Sequence, residues 1–166
     1  NPHVKIIIVD PRVTDCCSIA DLHLQINPGT DMILNYAIGR VLIERGHVDL
    51  GFITERTKGF EEYKDVVSRI SIWDSAEICG VDPQEILLAA TYIGESPGFL
   101  SMWTMGLNQS ANGVDKNLSL INLNLITGKI GKAGAGPFSL TGQPNAMGGR
   151  EVGGLANLLP AHRDLA

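Results

Sequence analysis

The sequence predicts an α/β domain with a mainly parallel sheet and helices on both of its faces. Short runs typical of strands are separated by longer runs with helical periodicity, which is the alternation expected of this class. The first run, Val4–Val9, is apolar and rich in β-branched residues, as in a strand buried within a parallel sheet. The chain has 166 residues, 44% of them hydrophobic, which is enough for one domain with a proper core.

The segment that follows the first strand predicts a second strand and a helix. In the run DLHLQI the apolar side chains alternate and fall on one face, as in a strand. A turn, NPGTD, comes next, and either Thr30 or Asp31 can cap the following helix. That helix is predicted from Met32 to Arg45, and Gly46 ends it.

The middle of the chain predicts further helices. Between residues 49 and 80 the periodicity is helical but interrupted, and the predicted segments are Leu50–Arg56, Phe60–Ile70 and Ser75–Ile78. The sequence DPQE is a strong helix start, because Asp82 can cap, Pro83 suits the first turn and Glu85 occupies the capping-box position. This helix is predicted to run to about Gly94.

The last third of the chain combines a strand, a polar loop, a helix and a glycine-rich segment. GFLSMWTM predicts a strand, and WTMGLNQSANGVDKN (Trp103–Asn117) predicts a polar loop. Asp115 can cap a helix that runs to Thr127. The following stretch, GKIGKAGAGPFSLTGQPNAMGGREVGG, is dense in glycine and predicts little regular structure. The predicted division is an α/β domain at 1–127 and a Gly-rich loop segment at 128–166.

Composition excludes several classes of function. The net charge of −5 argues against a general nucleic-acid-binding role, because phosphate binding favours a basic excess. No apolar run approaches the roughly 20 residues of a membrane-spanning helix. The three cysteines (Cys16, Cys17 and Cys79) form no CxxC motif, and their odd count favours a reducing, cytoplasmic location. The scattered histidines show no metal-ligand spacing, so no metal site is predicted.

Ligands of parallel sheets bind beyond the carboxyl ends of the strands, and three predicted loops fall there. The first is Asp10-Pro11-Arg12, where the carboxylate can accept hydrogen bonds from two ribose hydroxyls. The alternative is an ordinary turn. The ribose interpretation predicts a strand and a glycine loop upstream of Asn1.

The second loop is Pro28-Gly29-Thr30-Asp31. The Asp31 carboxylate can accept from the neighbouring N–H and amino groups of guanine, a donor pair that adenine lacks. The alternative, a helix cap, is the one that the sequence alone favours.

The third loop is the polar segment Trp103–Asn117. It offers uncharged donors and acceptors and two glycines that permit close backbone approach to a ligand: Met105, Asn108, Gln109, Asn112, Asn117, Gly106 and Gly113. The alternative is a polar loop without a ligand.

Further along the chain, Arg150 in GGREVGG can attract an anion or pair with Glu151. No hydrolase triad, paired glycosidase acids or Walker loop is present.

Two long segments carry a resemblance to a known family. SMWTMGLNQSANGVDKN and LINLNLITGKIGKAGAGPFSLTGQPNAMGGREVGGLANLLPAHR resemble the catalytic subunits of assimilatory nitrate reductases, which are molybdopterin oxidoreductases. VDPR and ADLHLQINPGTD resemble the preceding segment of the same family. The resemblance covers essentially the whole chain, and GPFSLTGQPNAMGGREVGG is its most specific block.

The resemblance implies a fragment of about a quarter or less of a larger subunit, equivalent to its Rossmann-like, nucleotide-binding-like third domain. It implies a molybdenum bis(molybdopterin guanine dinucleotide) cofactor and oxygen-atom transfer from nitrate, which leaves as nitrite. The 4Fe-4S cluster and the cysteine that ligates molybdenum would belong to upstream segments, with no ligands in this chain.

The resemblance also assigns residues to this cofactor. Residues 1–127 would bind it, and residues 128–166 would line it and the substrate funnel. Met105 and Gln109 would lie against the pterin, while Gln143 and Arg150 would line the funnel, with Arg150 attracting nitrate. Met105, Gln143 and Arg150 are thus the predicted catalytic residues. The guanosine would be held by Asp10, Pro11, Arg12, Val13, Thr14, Gly29, Thr30 and Asp31.

The implied partners are nitrate, the remainder of the catalytic subunit, and an electron donor such as ferredoxin, flavodoxin or an NADH-linked subunit. Nucleic acid and membranes are not expected partners.

Two other hypotheses about the function stay open. One is another molybdopterin oxidoreductase, such as a formate dehydrogenase-like enzyme, and the other is a nucleotide-binding domain without catalysis.

Overall fold

The computed structural model describes residues 3–140, 142 and 146–152. A short 3₁₀ turn, Asp15–Ile19, follows the first strand. The strands are β1 (Ile7–Val9), β2 (Leu22–Leu24), β3 (Leu100–Trp103) and β4 (Gly136–Ser139). The helices are α1 (Asp31–Glu44), α2 (Leu50–Arg56), α3 (Phe60–Ser68), α4 (Ile72–Cys79), α5 (Pro83–Glu95), α6 (Met105–Asn108), α7 (Gly113–Ile126) and α8 (Ala146–Glu151).

The strands pair in parallel, which confirms the predicted α/β class. β1 lies beside β2, with Ile7 opposite Leu22, and β3 lies beside β4, with Leu100 opposite Gly136. Within the described residues the strands form two separate two-stranded sheets. Both pairs present the carboxyl ends of two strands at one edge, which is where a ligand of a parallel sheet binds.

Helix α1 lies at the centre of the core. It packs against α3, α4, α5 and α7. Its buried apolar side chains are Leu34, Ala37, Ile38, Val41 and Leu42. Gly39 lets α3 approach closely, because a Cβ at this position would collide with the hydroxyl of Tyr63. The helix predicted from the sequence at this position is therefore the one that organises the packing.

The start of α5 has the capping box that DPQE predicts. Asp82 Oδ1 accepts from the backbone N–H of Gln84 at 2.8 Å, and Glu85 Oε2 accepts from the N–H of Asp82 at 3.0 Å. Each bond satisfies an N–H group that the first helical turn leaves without an intrahelical partner.

At the other end of helix α5, Lys129 Nζ donates to the carbonyls of Ile93 and Gly94. Burial lowers the pKa of Lys129, with a smaller contribution from the nearby charge of Lys132.

Replacing Asp82 by alanine is expected to weaken the first turn of α5 by about 1 kcal/mol, the usual effect of losing such a cap. The backbone N–H of Gln84 then exchanges with solvent about fivefold faster, since local opening costs less free energy. Amide hydrogen exchange measures this. Asp65→Ala, which removes an exposed ion pair with Arg69, is the control and leaves Gln84 unchanged. Equal exchange rates in the two variants would contradict the assignment.

Asn124 of α7 joins three parts of the fold. Its side chain is fully buried. Its Oδ1 accepts from the hydroxyl of Ser101 in β3 at 2.6 Å. Its Nδ2 donates to the carbonyls of Phe99 at 2.9 Å and Lys129 at 3.1 Å. One amide therefore fixes β3, α7 and the start of the Gly-rich segment relative to one another.

The glycine-rich stretch contains β4 and α8, so the prediction of little regular structure there is wrong in part. The backbone N–H of Gly136 donates to Phe99 at 2.9 Å, and that of Leu140 donates to Trp103 at 2.7 Å. Gly136 has φ of 135°, a conformation that side-chain-bearing residues rarely adopt. Pairing with β3 thus overrides the low strand propensity of glycine and proline.

Candidate functional site

The first candidate loop turns sharply at Asp10. Its Oδ1 accepts from the backbone N–H of Arg12 at 2.8 Å and lies 3.6 Å from Arg12 Nε. His23 Nε2 lies 2.9 Å from the carbonyl oxygen of Asp10, and Gln25 Nε2 donates to the carbonyl of Pro11 at 3.1 Å. The loop is therefore anchored to β2 and to the residue that follows it.

The rest of the first loop divides between exposed side chains and a structural hydroxyl. The side chain of Arg12 is 80% exposed, and Val13 is also exposed. Thr14 instead lies at the start of the 3₁₀ turn, where its Oγ1 is 3.6 Å from Cys17 Sγ and its backbone N–H donates to that sulfur at 3.4 Å. Arg12 can reach an anion such as a phosphate, whereas the Thr14 hydroxyl serves the turn.

Neither candidate cap at the start of α1 acts as one. Thr30 occupies the N-cap position, but its hydroxyl donates to the carbonyl of Asn27 at 2.7 Å and caps no helical N–H. Asp31 is the first helical residue. Gly29 has φ of 93°, and nothing lies within 4 Å of where its Cβ would be. The turn therefore has an open backbone at Gly29 and a carboxylate beside it.

The Asp31 carboxylate pairs with a lysine that was not among the predicted site residues. Lys116 Nζ donates to Asp31 Oδ2 at 2.7 Å, and the two side chains are 10% and 18% exposed. Within the described residues, Oδ1 of Asp31 has no hydrogen-bond donor. The sequence does carry one signal for Lys116, because it is the single basic residue in the largely uncharged sequence of α7. The sequence carries no signal that pairs it with Asp31 in α1, which is 85 residues away.

A buried hydrogen bond lies next to this ion pair. Asn35 Nδ2 donates to Ser119 Oγ at 2.9 Å, and the Ser119 hydroxyl donates to the carbonyl of Lys116 at 2.8 Å. Helices α1 and α7 are thus joined at two successive levels, by an ion pair near the start of α1 and by a neutral bond one turn further on.

A buried cysteine lies under the same turn. Cys79 Sγ is 3.7 Å from the carbonyl oxygen of Thr30 and donates to it. Burial raises the pKa of the Cys79 thiol, which keeps it protonated near neutral pH. A protonated, buried thiol packs as a small apolar side chain and is a poor nucleophile or metal ligand.

The third candidate loop is more ordered than predicted. α6 occupies Met105–Asn108, and α7 begins at Gly113 with Asn112 at the N-cap position, so Asp115 is not the cap. Asn117 Nδ2 donates back to the carbonyl of Gly113 at 2.6 Å. Much of the polar composition that suggested a loop therefore belongs to α6 and to the start of α7.

Asn108 also has a structural role. Trp103 Nε1 donates to Asn108 Oδ1 at 3.0 Å, and Asn108 Nδ2 donates to Ser139 Oγ at 3.2 Å. These two bonds hold α6 against the carboxyl ends of β3 and β4. The amide of Asn108 is thus occupied by the protein.

Met105 and Gln109 face solvent at this edge. Met105 is 49% exposed and Gln109 is exposed as well. A Cβ at Gly106 would meet open space, and one at Gly142 would lie 2.8 Å from Met105 Sδ. Gly142 therefore supports Met105 from one side while the other side stays open.

The structure brings only some of the predicted residues together. Asp31 is joined through Lys116 to α7, the helix that follows Met105 and Gln109. Among the described residues, no hydrogen bond or ion pair links Asp10–Thr14 to Gly29–Asp31. Gln143 lies outside the described residues. Arg150 lies in α8, but its side chain is outside the described part.

Two features are absent from the described part of the chain. No three His, Cys, Asp or Glu side chains there are grouped so that they could hold a metal ion. None of the helices described combines the length and apolar character needed to cross a bilayer.

Three curated proteins are similar to this chain over almost all of it. The nitrate reductase of Synechocystis sp. is 50% identical over 99% of this chain and 23% of that protein. The nitrate reductase of Klebsiella oxytoca is 40% identical over 98% of this chain and 18% of that protein. The F420-dependent formate dehydrogenase 2 subunit alpha of Methanococcus maripaludis is 38% identical over 96% of this chain and 24% of that protein. The chain therefore spans about a quarter or less of these relatives.

A solved structure and a family profile agree with these similarities. The acetylene hydratase from Pelobacter acetylenicus has a similar fold, with a TM-score of 0.72 and 31% sequence identity. The match covers 78% of this chain and 18% of that one. The profile described as Molybdopterin oxidoreductase matches residues 1–164. The chain therefore belongs to the molybdopterin oxidoreductase family.

Proposed function

We propose that this chain is the nucleotide-binding-like part of a molybdenum-dependent nitrate reductase, and that it binds part of a bis(molybdopterin guanine dinucleotide) cofactor. The observation that carries the proposal is the identity of 50% with the nitrate reductase of Synechocystis sp. across nearly the whole chain. The formate dehydrogenase subunit of Methanococcus maripaludis reaches 38%.

The chemistry of the residues fits the nucleotide part of such a cofactor. Asp31 has one carboxylate oxygen, Oδ1, without a donor among the described residues, and guanine offers an N–H and an amino group to an acceptor. The open backbone at Gly29 and Gly106 permits close approach of a ligand. The exposed Arg12 suits a phosphate, because guanidinium matches oxyanion geometry.

Each candidate residue has a role under this proposal. The loop Asp10–Thr14 holds the ribose end of the guanosine, and Gly29–Asp31 holds its base. Met105 and Gln109 lie against the pterin, with Met105 close to the reacting atoms. The segment 128–166 lines the cofactor and the substrate funnel, where Gln143 and Arg150 meet nitrate and Arg150 supplies the attraction for the anion. The bound cofactor supplies the oxygen-atom transfer that converts nitrate into nitrite.

The remaining parts of the enzyme would be supplied from outside this chain. A 4Fe-4S cluster and the ligand to molybdenum belong to other segments of the parent protein under the proposal. The electron donor is ferredoxin, flavodoxin or an NADH-linked subunit. The free thiols of Cys16, Cys17 and Cys79 suit a reducing, cytoplasmic location. The role proposed there is nitrate assimilation.

The test is an assay of the full-length parent enzyme with two substrates. We expect nitrite production from nitrate with a reduced viologen as electron donor, and little oxidation of formate. The 166-residue chain alone is expected to yield no nitrite, because it lacks the remainder of the cofactor site. Formate oxidation without nitrate reduction would instead support a formate dehydrogenase-like enzyme, which the similarity to the formate dehydrogenase subunit keeps as the second candidate.

A further inference from the structure

We propose that Lys116 is a positioning residue of the guanine site, which orients the Asp31 carboxylate so that Oδ1 faces the donor edge of the base. The inference rests on the proposed function, because it concerns how Asp31 is presented to that nucleotide. It adds a residue from α7 to a site so far built from the turn before α1.

The geometry of the ion pair carries the inference. Lys116 Nζ lies 2.7 Å from Asp31 Oδ2, a length typical of a strong charge-assisted hydrogen bond. With both side chains mostly buried, the carboxylate has little freedom to rotate about its terminal torsion. One oxygen is thereby held towards α7, and the other is left for a ligand.

The neighbouring contacts separate positioning from simple helix packing. Asn35 and Ser119 already join α1 to α7 by a buried hydrogen bond of 2.9 Å, one turn away from Asp31. A mostly buried ion pair adds little net stability, because desolvation offsets much of the attraction between the charges. What Lys116 adds is therefore a fixed direction for Asp31.

The experiment compares how variants of the full-length enzyme compete for one cofactor pool. Wild type and each variant carry different affinity tags and are produced in the same cells, so both draw on the same supply. After purification, acid hydrolysis releases GMP from bound cofactor, and the GMP per polypeptide is measured for both proteins. The variants are Lys116→Met, Lys116→Arg and Asp31→Ala. Ser119→Ala is the matched control: it removes the neighbouring bond between α1 and α7 and the bond of the Ser119 hydroxyl to the Lys116 carbonyl, but keeps both side chains of the ion pair. The thermal midpoint of each protein is recorded.

We expect Lys116→Met to hold about tenfold less GMP than wild type, as is usual when a residue that orients a ligand-binding group is lost. Lys116→Arg keeps the cation and retains at least half of the wild-type content. Ser119→Ala lowers the thermal midpoint but keeps its GMP. If Lys116→Met kept its GMP while Asp31→Ala lost it, Lys116 would have no positioning role and only this inference would fall. If Asp31→Ala also kept its GMP, the proposed base site itself would be wrong.

Discussion

Replacing Asp31 by alanine in the full-length enzyme is expected to lower its guanine nucleotide content by about tenfold or more. A hydrogen bond to a charged group contributes roughly 1.5–3 kcal/mol, so losing one acceptor of this kind weakens binding by about 10- to 100-fold. The GMP released from the purified protein, relative to wild type produced in the same cells, measures the loss. Under the proposed function, nitrite production per polypeptide falls in proportion, because that reaction needs the cofactor.

The same substitution leaves Lys116 without its partner, and this effect must be separated from lost binding. A mostly buried, unpaired ammonium group destabilises a fold. The double variant Asp31→Ala, Lys116→Met removes that charge, so we expect it to recover thermal stability while its GMP content stays low. Asp65→Ala removes an exposed carboxylate from α3 and is the control for charge alone. A double variant that regained wild-type GMP would contradict the role of Asp31 in binding.

Local signals in the sequence were sufficient for the features that depend on neighbouring residues. The capping box at Asp82 and Glu85 lies within one helical turn, so its residues could be recognised without knowledge of the fold. The bounds of α2, Leu50–Arg56, agree with the prediction for the same reason. The parallel pairing followed from the alternation of strand and helix patterns along the chain.

Features that depend on distant pairing could not be read from the sequence. β4 is a strand because β3 supplies its hydrogen-bond partners, although Gly136 and Pro137 disfavour a strand locally. Asp31 resembled a helix cap because an acidic residue at that position often is one. Its actual partner, Lys116, lies 85 residues away. The fold therefore decides between a cap and an ion pair.

Replacing Asn124 by leucine is expected to have the largest effect on stability. Leucine fills a similar volume but leaves the Ser101 hydroxyl and the Lys129 carbonyl without their partner, while the Phe99 carbonyl keeps only its bond from the N–H of Gly136. Each buried group that loses its hydrogen bond costs about 1–3 kcal/mol, so a loss of roughly 3–5 kcal/mol follows when the structure relaxes in part. A lower thermal midpoint of the full-length enzyme, or loss of soluble protein, measures it.

The loss should be concentrated where Asn124 joins β3 to the Gly-rich segment. The backbone N–H groups of Gly136 and Leu140, which donate across the β3–β4 pair, are expected to exchange with solvent much faster in Asn124→Leu than in wild type. Asn122→Leu is the matched control, since Asn122 lies on the same helix, is only partly buried, and its side chain makes no hydrogen bond to the described residues. If both variants exchanged these two amides at the wild-type rate, then β4 would be held by its pairing with β3 alone, and the buried amide would not be what fixes this segment.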